Sequence, residues 1–120
     1  MAGTKSILIV EDEKPLQHAL ELKLQHEGFT VTVASNGREC IDFVKNGTFD
    51  AVLLDLIMPE LDGFQVLEQL KQLPNMPAVF VLSNLSQHED EERVLALGAR
   101  KFFIKSDTPL TTIVDEIKQI

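Results

Sequence analysis

The chain has 120 residues, of which 44% are hydrophobic and 25% are charged, a composition typical of a single globular domain. Its formal net charge of -8 argues against binding nucleic acid through phosphate contacts, which require clustered Lys and Arg. The lone Cys40 cannot form an internal disulfide, and the sequence contains neither a membrane-spanning stretch nor a signal peptide. We therefore expect one cytoplasmic domain over residues 1–120, with no membrane contact and no direct nucleic acid binding.

Five short apolar runs predict β-strands. Four of them are continuous, as in strands that are buried on both faces of a parallel sheet, and the second alternates and is rich in β-branched residues. In chain order the predicted strands are Lys5–Val10, Phe29–Ala34, Asp50–Asp55, Ala78–Leu82 and Phe102–Ile104. A helical pattern follows each strand, which predicts right-handed crossovers and a parallel sheet covered on both faces.

The helical segments have recognisable ends. Pro15 suits the first turn of the first helix, and Gly28 suits its C-terminal cap. Asn36 is a predicted N-cap with a glutamate three residues later, and Ser86 to Glu89 has the pattern of a capping box. The third helix opens at Gly63, and the last begins at Thr108-Pro109.

Polar side chains follow four of the five predicted strands. Glu11-Asp12 follows the first strand, Asp55 ends the third, Ser83 follows the fourth and Lys105 follows the fifth. Because the strands are parallel, these groups lie at one edge of the sheet, where open α/β sheets bind their ligands. They converge on a single crevice if the first strand lies beside the third.

Crowded carboxylates at such an edge repel one another, by about 4 kcal/mol for two unit charges ~4 Å apart at an effective dielectric of 20. Either one acid takes up a proton or a divalent cation lies among them. Oxygen ligands without nearby His or Cys favour Mg²⁺. With Lys105 as a cation for phosphate and Ser83 as a hydroxyl donor, the set suits phosphoryl transfer onto Asp55.

Over its whole length the sequence resembles the receiver domains of two-component response regulators, of the chemotaxis-regulator type. The matching residues are Glu11-Asp12, Asp55 with Met58-Pro59 and Asp62-Gly63 downstream, Ser83, and Lys105. The resemblance implies a flavodoxin-like (βα)5 three-layer sandwich with strand order 2-1-3-4-5. It also implies a phosphorylation-dependent switch rather than an enzyme that turns over a substrate.

The resemblance assigns a role to each site residue. Asp55 would accept a phosphoryl group from a sensor histidine kinase or phosphotransfer protein, and Lys105 and Ser83 would contact the phosphoryl oxygens. Asp12, Asp55 and the Ile57 main-chain carbonyl would ligate Mg²⁺ directly, and Glu11 would do so through water. Phosphorylation would then alter the surface formed by the fourth helix, fifth strand and fifth helix, which binds an output protein or domain or, as one option, forms a dimer.

Three departures from the family pattern accompany the match. Ser106 follows Lys105 where proline is common, so a cis peptide is not expected there. Phe102, three residues before Lys105, replaces the usual tyrosine of the switch and has no hydroxyl; it is either the switch aromatic or permanent packing. Ile57 and Leu85 are both apolar and cannot orient a water molecule, so we expect slow self-dephosphorylation.

Two other functions compete with the switch. A haloacid-dehalogenase-like phosphatase also uses an aspartyl nucleophile, Mg²⁺ and lysine, but it needs a second acid two residues after the nucleophile, where this chain has Ile57. A degenerate receiver would only bind partners, and the presence of all five chemical positions argues against it. We expect no DNA-binding output domain within these residues.

Overall fold

A computed structural model of the chain describes residues 4–58, 62–84 and 88–120. Strands and helices alternate through these residues. The strands are β1 (Ser6–Val10), β2 (Thr30–Ala34), β3 (Ala51–Asp55), β4 (Ala78–Ser83) and β5 (Lys101–Ile104). The helices are α1 (Lys14–His26), α2 (Gly37–Asn46), α3 (Gly63–Lys71), α4 (His88–Ala96) and α5 (Leu110–Ile117).

The five strands form one parallel sheet in the order β2-β1-β3-β4-β5, which confirms the predicted flavodoxin-like topology. Chain order reverses between β1 and β3, so the carboxyl ends of these two neighbours flank the crevice where such sheets bind ligands. Each predicted strand differs from the observed one by a single residue at one end. Phe29, for example, lies outside β2 because its amide donates to the Leu24 carbonyl at the end of α1.

The sheet separates two hydrophobic cores. On one face, alternate strand residues pack against α2, α3 and α4, and Phe102 packs at the margin of this cluster. On the other face, the remaining strand residues pack against α1 and α5. Phe103 lies in this second core, where its ring stacks on Phe80 with centroids 6.5 Å apart. Consecutive residues of β5 therefore point into different cores, as the alternation of a strand requires.

Two of the predicted helix starts within the described residues have a side-chain cap, those of α2 and α3. The Asn36 side chain accepts from the Glu39 amide, which confirms this N-cap. The Glu39 carboxylate accepts from the amide of Ser35 rather than from Asn36, so the glutamate reaches one residue further back than in a capping box. Asp62 caps α3 in a complete capping box with Gln65. The predicted box that starts at Ser86 lies outside the described residues.

Helix ends follow the expected glycine chemistry. Gly28 and Gly98 have φ values of 97° and 103°, which fits the left-handed conformation that glycine tolerates after a helix.

Among the described helices, none is both long and apolar enough to cross a bilayer.

Candidate functional site

Glu11, Asp55 and Lys105 meet at the carboxyl edge of the sheet. Asp55 is the last residue of β3, and Glu11 and Lys105 directly follow β1 and β5. The Lys105 Nζ atom lies 3.1 Å from Asp55 Oδ2 and 3.0 Å from Glu11 Oε1. Both carboxylates are buried, so one ammonium group lies between two acids that water hardly reaches. The geometry therefore joins groups that are far apart in sequence.

A third acid completes the cluster. Oxygen atoms of Glu11, Asp12 and Asp55 all lie within 4.8 Å of one another, and Asp12 is exposed where the other two are buried. Glu11 Oε2 accepts from Lys105 and from the Glu13 amide, whereas buried Oε1 has an ion-pair contact but no hydrogen bond. Carboxylate oxygens are hard ligands of the kind that Mg²⁺ prefers, and one of these oxygens, Glu11 Oε1, has no hydrogen bond that would compete with a metal ion.

Burial sets the proton affinities of the cluster. Burial is the largest cause that raises the pKa of Glu11 to about 7, and the negative charge of Asp55 raises it further. The hydrogen bond from the Glu13 amide and the nearby Lys105 act in the opposite direction and lower this pKa. Burial likewise raises the pKa of Asp55, although Lys105 and the Ile57 amide oppose it. Burial opposes the charge of Lys105 as well, but the two carboxylates outweigh it and raise the pKa of the ammonium. Because burial disfavours the charged forms of Glu11 and Asp55, a cation close to both carboxylates stabilises their ionised state.

The remaining predicted site residues lie at the same edge. Ser83 is fully buried at the end of β4, and its carbonyl accepts from the Lys105 amide at 2.9 Å. The Ile57 amide donates to Asp55 Oδ1 at 3.2 Å, and residue Ile57 is 58% exposed. The peptide bonds of the described residues, including that after Lys105, are trans. Leu85 lies outside the described residues.

An open cavity of about 390 Å³ gives access to these groups. Its lining residues are Asp12, Glu13, Asp55, Ile57, Asn84 and Lys105. Glu13 and Asn84 are additions to the predicted site. Glu13 belongs to the acid run after the first strand, but no spacing rule places its carboxylate against Lys105, at 3.5 Å. Asn84 had a simpler signal, since it follows Ser83 at a strand end.

Phe102 lies away from this cluster, on the face of the sheet that carries α4. It is half-buried and packs at the margin of that core. It lies on β5, as the predicted fifth strand requires.

The comparison with protein families agrees with this geometry. The family model for the response regulator receiver domain matches residues 7–117. The chain belongs to this family. A receiver is a phosphoacceptor switch of two-component systems and, in general, not a classical enzyme.

Curated relatives of this receiver are longer proteins. The chain is 36% identical over 99 residues to an uncharacterized transcriptional regulatory protein, YkoG of Bacillus subtilis. That match covers 82% of the chain but only 43% of YkoG, so the chain spans less than half the length of this relative.

Solved receiver structures superpose over nearly the whole chain. The receiver domain of the Francisella response regulator 1452 has a TM-score of 0.90 at 26% identity, covering 97% of this chain and 95% of its own. Response regulator TrrA from Thermotoga maritima, in complex with Mg²⁺–BeF, has a TM-score of 0.85 at 27% identity and covers 97% of this chain and 98% of its own.

Proposed function

We propose that this receiver, as a single domain over residues 1–120, accepts a phosphoryl group on Asp55 in a Mg²⁺-dependent reaction. The observation that supports it best is the buried Asp55 carboxylate, with Lys105 Nζ 3.1 Å away and two further acids close by. An aspartate oxygen attacks phosphorus and forms the acyl phosphate bond. The bond from phosphorus to the donor breaks, and its electron pair leaves with the donor.

The proposal gives each neighbouring group one task. Lys105 neutralises charge on the phosphoryl oxygens, because its ammonium already lies beside the Asp55 carboxylate. Ser83 supplies a hydroxyl donor from the end of the adjacent strand β4. Neither group needs to move a proton, since an ionised carboxylate is the nucleophile.

Glu11, Asp12, Asp55 and the Ile57 carbonyl are the proposed Mg²⁺ ligands, with Glu11 acting through water. Carboxylate oxygens from two strand ends already lie within 4.8 Å of one another. Bound Mg²⁺ would neutralise charge that develops on the transferred group. The complex of TrrA with Mg²⁺–BeF supports a Mg²⁺ site in this receiver, because TrrA shares the fold across 97% of this chain.

The proposed phosphodonor is a sensor histidine kinase or a phosphotransfer protein, in the cytoplasm. The proposed output is a change in partner binding at the surface formed by α4, β5 and α5 around Phe102. The half-buried ring of Phe102 lies at this surface, and without a hydroxyl it would act by packing alone. The partner is an output protein or domain or, as one option, a second copy in a phosphorylation-dependent dimer.

We propose that the acyl phosphate is long-lived. Ile57 lines the cavity and is 58% exposed, and its apolar side chain offers no group to orient an attacking water. A half-life of minutes or longer in Mg²⁺ buffer is expected, and a half-life of seconds would contradict this part of the proposal.

Intact mass after incubation with acetyl phosphate, with and without Mg²⁺, tests the phosphoacceptor. The natural protein is expected to gain one phosphoryl group only with Mg²⁺, and Asp55→Asn is expected to gain none. Asp50→Asn is a matched control, because Asp50 precedes the amino end of the same strand, where Asp50 Oδ2 accepts from the Ser6 amide. This control should be modified like the natural protein.

The other outcomes separate the competing functions. No adduct under any condition would favour a receiver that only binds partners. Rapid consumption of acetyl phosphate without an adduct would favour a phosphatase. An adduct that persists in Asp55→Asn would place the acceptor elsewhere.

A further inference from the structure

Glu13 is placed at the start of a helix but does not cap it. It occupies the N-cap position of α1, where the short side chain of Ser, Thr, Asp or Asn ordinarily accepts from the first helical amides. Its main chain does hold the helix start, because its carbonyl accepts from the Gln17 amide at 2.9 Å. Its side chain makes no cap hydrogen bond, and its Oε1 lies 3.5 Å from Lys105 Nζ instead.

Lys105 does not need this third carboxylate. Glu11 and Asp55 hold its ammonium through hydrogen bonds of 3.2 and 3.1 Å, and both acids are buried. The Glu13 side chain is 59% exposed, and an exposed ion pair contributes little to stability. Its contact with Lys105 is therefore not required to keep the lysine in place.

The charge of Glu13 lies where a phosphodonor has to enter. Glu13 lines the cavity over Asp55 together with Lys105 and Asp12. A divalent cation and Lys105 would balance the charges of Glu11, Asp12 and Asp55, and Glu13 would then leave the entrance with one negative charge in excess. Because the Glu13 side chain is 59% exposed and the Lys105 side chain only 9%, we expect an anionic donor to meet this charge before it reaches the lysine.

We propose that Glu13 is a specificity-determining residue that slows phosphorylation of Asp55 by small phosphodonors in proportion to their negative charge. The inference rests on the proposed function of Asp55. For a dianionic donor taken to lie about 7 Å from this exposed carboxylate, with the dielectric constant of water (about 80), Coulomb repulsion with salt screening slows entry about five-fold at 0.01 M ionic strength and about two-fold at 0.15 M. A donor with one negative charge is slowed less at either salt concentration.

The test measures the rate of adduct formation by intact mass for the natural protein and Glu13→Gln. Acetyl phosphate, a dianion near neutral pH, is compared with phosphoramidate, a monoanion, at both ionic strengths. Mg²⁺ is held at saturation for each variant, as fixed beforehand by calorimetry, so that altered Mg²⁺ affinity does not enter the comparison. The dependence of rate on donor concentration separates donor entry from the chemical step.

Two further variants isolate the charge. Glu13→Asp restores it and is expected to abolish most of the gain seen in Glu13→Gln. Asp42→Asn changes the net charge of the protein equally, but Asp42 lies on α2, outside the residues that line the cavity, so its rate should match that of the natural protein. Melting temperatures of all variants show whether folding is intact.

The proposal is supported if Glu13→Gln raises the second-order rate constant for acetyl phosphate about five-fold at low salt, with a smaller gain for phosphoramidate and at high salt. It is overturned if Glu13→Gln is unchanged or slower, or if the gain is the same for both donors or both salt concentrations. If neither protein forms an adduct with either donor, the proposed function of Asp55 fails, and the role of Glu13 fails with it.

Discussion

Gly63 is the residue at which stability and the candidate site are most directly linked. A Cβ atom at this position would lie 2.5 Å from the Leu56 Cα atom and 2.8 Å from the Asp55 carbonyl oxygen. These neighbours are backbone atoms, and the Gly63 amide donates to the Leu56 carbonyl at 2.9 Å. Gly63→Ala must therefore push the start of α3 away from the segment that carries Asp55.

The cost follows from the packing. Overpacking of this kind costs about 1–3 kcal/mol, and contact with backbone places this site at the upper end. Alanine recovers about 0.4–1 kcal/mol by reducing the entropy of the unfolded chain. We expect a net loss of about 2 kcal/mol. With an unfolding entropy of about 2.1 cal/mol/K per residue over 120 residues, the melting temperature should fall by about 8 °C.

Thermal unfolding followed by circular dichroism tests this value. Gly47→Ala is the matched control, because a Cβ there would meet its nearest atom, the Phe43 carbonyl oxygen, at an ordinary 3.5 Å. Because alanine fits the extended backbone there, its free energy of unfolding should rise by about 0.4–1 kcal/mol through the lower entropy of the unfolded chain. A Gly63→Ala protein that melts within about 2 °C of the natural one would refute the packing argument.

Three further predictions use other parts of the molecule. Burial raises the pKa of the Cys40 thiol to about 12, so little thiolate forms below that pH, and a thiol reagent at pH 8 should label native protein far more slowly than protein in denaturant. The Arg93 guanidinium lies 4.0 Å from the Phe64 ring centroid, so Arg93→Ala should lower the free energy of unfolding by about 0.5–1 kcal/mol in urea titration, and Arg93→Lys should lower it less. Lys118 lowers the pKa of Glu27, so the pair stabilises the fold above the ordinary pKa of glutamate and loses this effect as the pH falls; Glu27→Gln should flatten that part of the stability profile in low salt.

The sequence predicts much of this arrangement because the decisive signals are local. Apolar runs mark the strands, and the parallel sheet carries the residues after them to one edge, so Asp55 and Lys105 meet although they are distant in sequence. Contacts made by long exposed side chains are not encoded in this way. Nothing in the spacing shows that Glu13 turns toward Lys105 or that Glu39 reaches the Ser35 amide.

Hydrophobic periodicity also does not predict how a helix packs against a neighbouring helix. The apolar stripe of the third helix predicts that Phe64, Leu67 and Leu70 point inward. Leu67 and Leu70 are buried, whereas Phe64 is only half-buried, with the Arg93 guanidinium of α4 over its ring, and Val66 is buried although the stripe does not include it. Which side chain fills the space between two helices depends on their mutual position, which the sequence of one helix does not specify.

The division of the two phenylalanines on β5 has an evolutionary consequence. Phe103 is stacked on Phe80 in the core beneath α1 and α5, whereas Phe102 packs toward α4 across the sheet. Substitutions in these two cores therefore share few direct contacts, and their energetic effects should be close to additive. During evolution, residues of the core next to α4 can then change to suit a new partner while residues of the core beneath α1 and α5 change separately. A substitution in one core does not require a compensating substitution in the other.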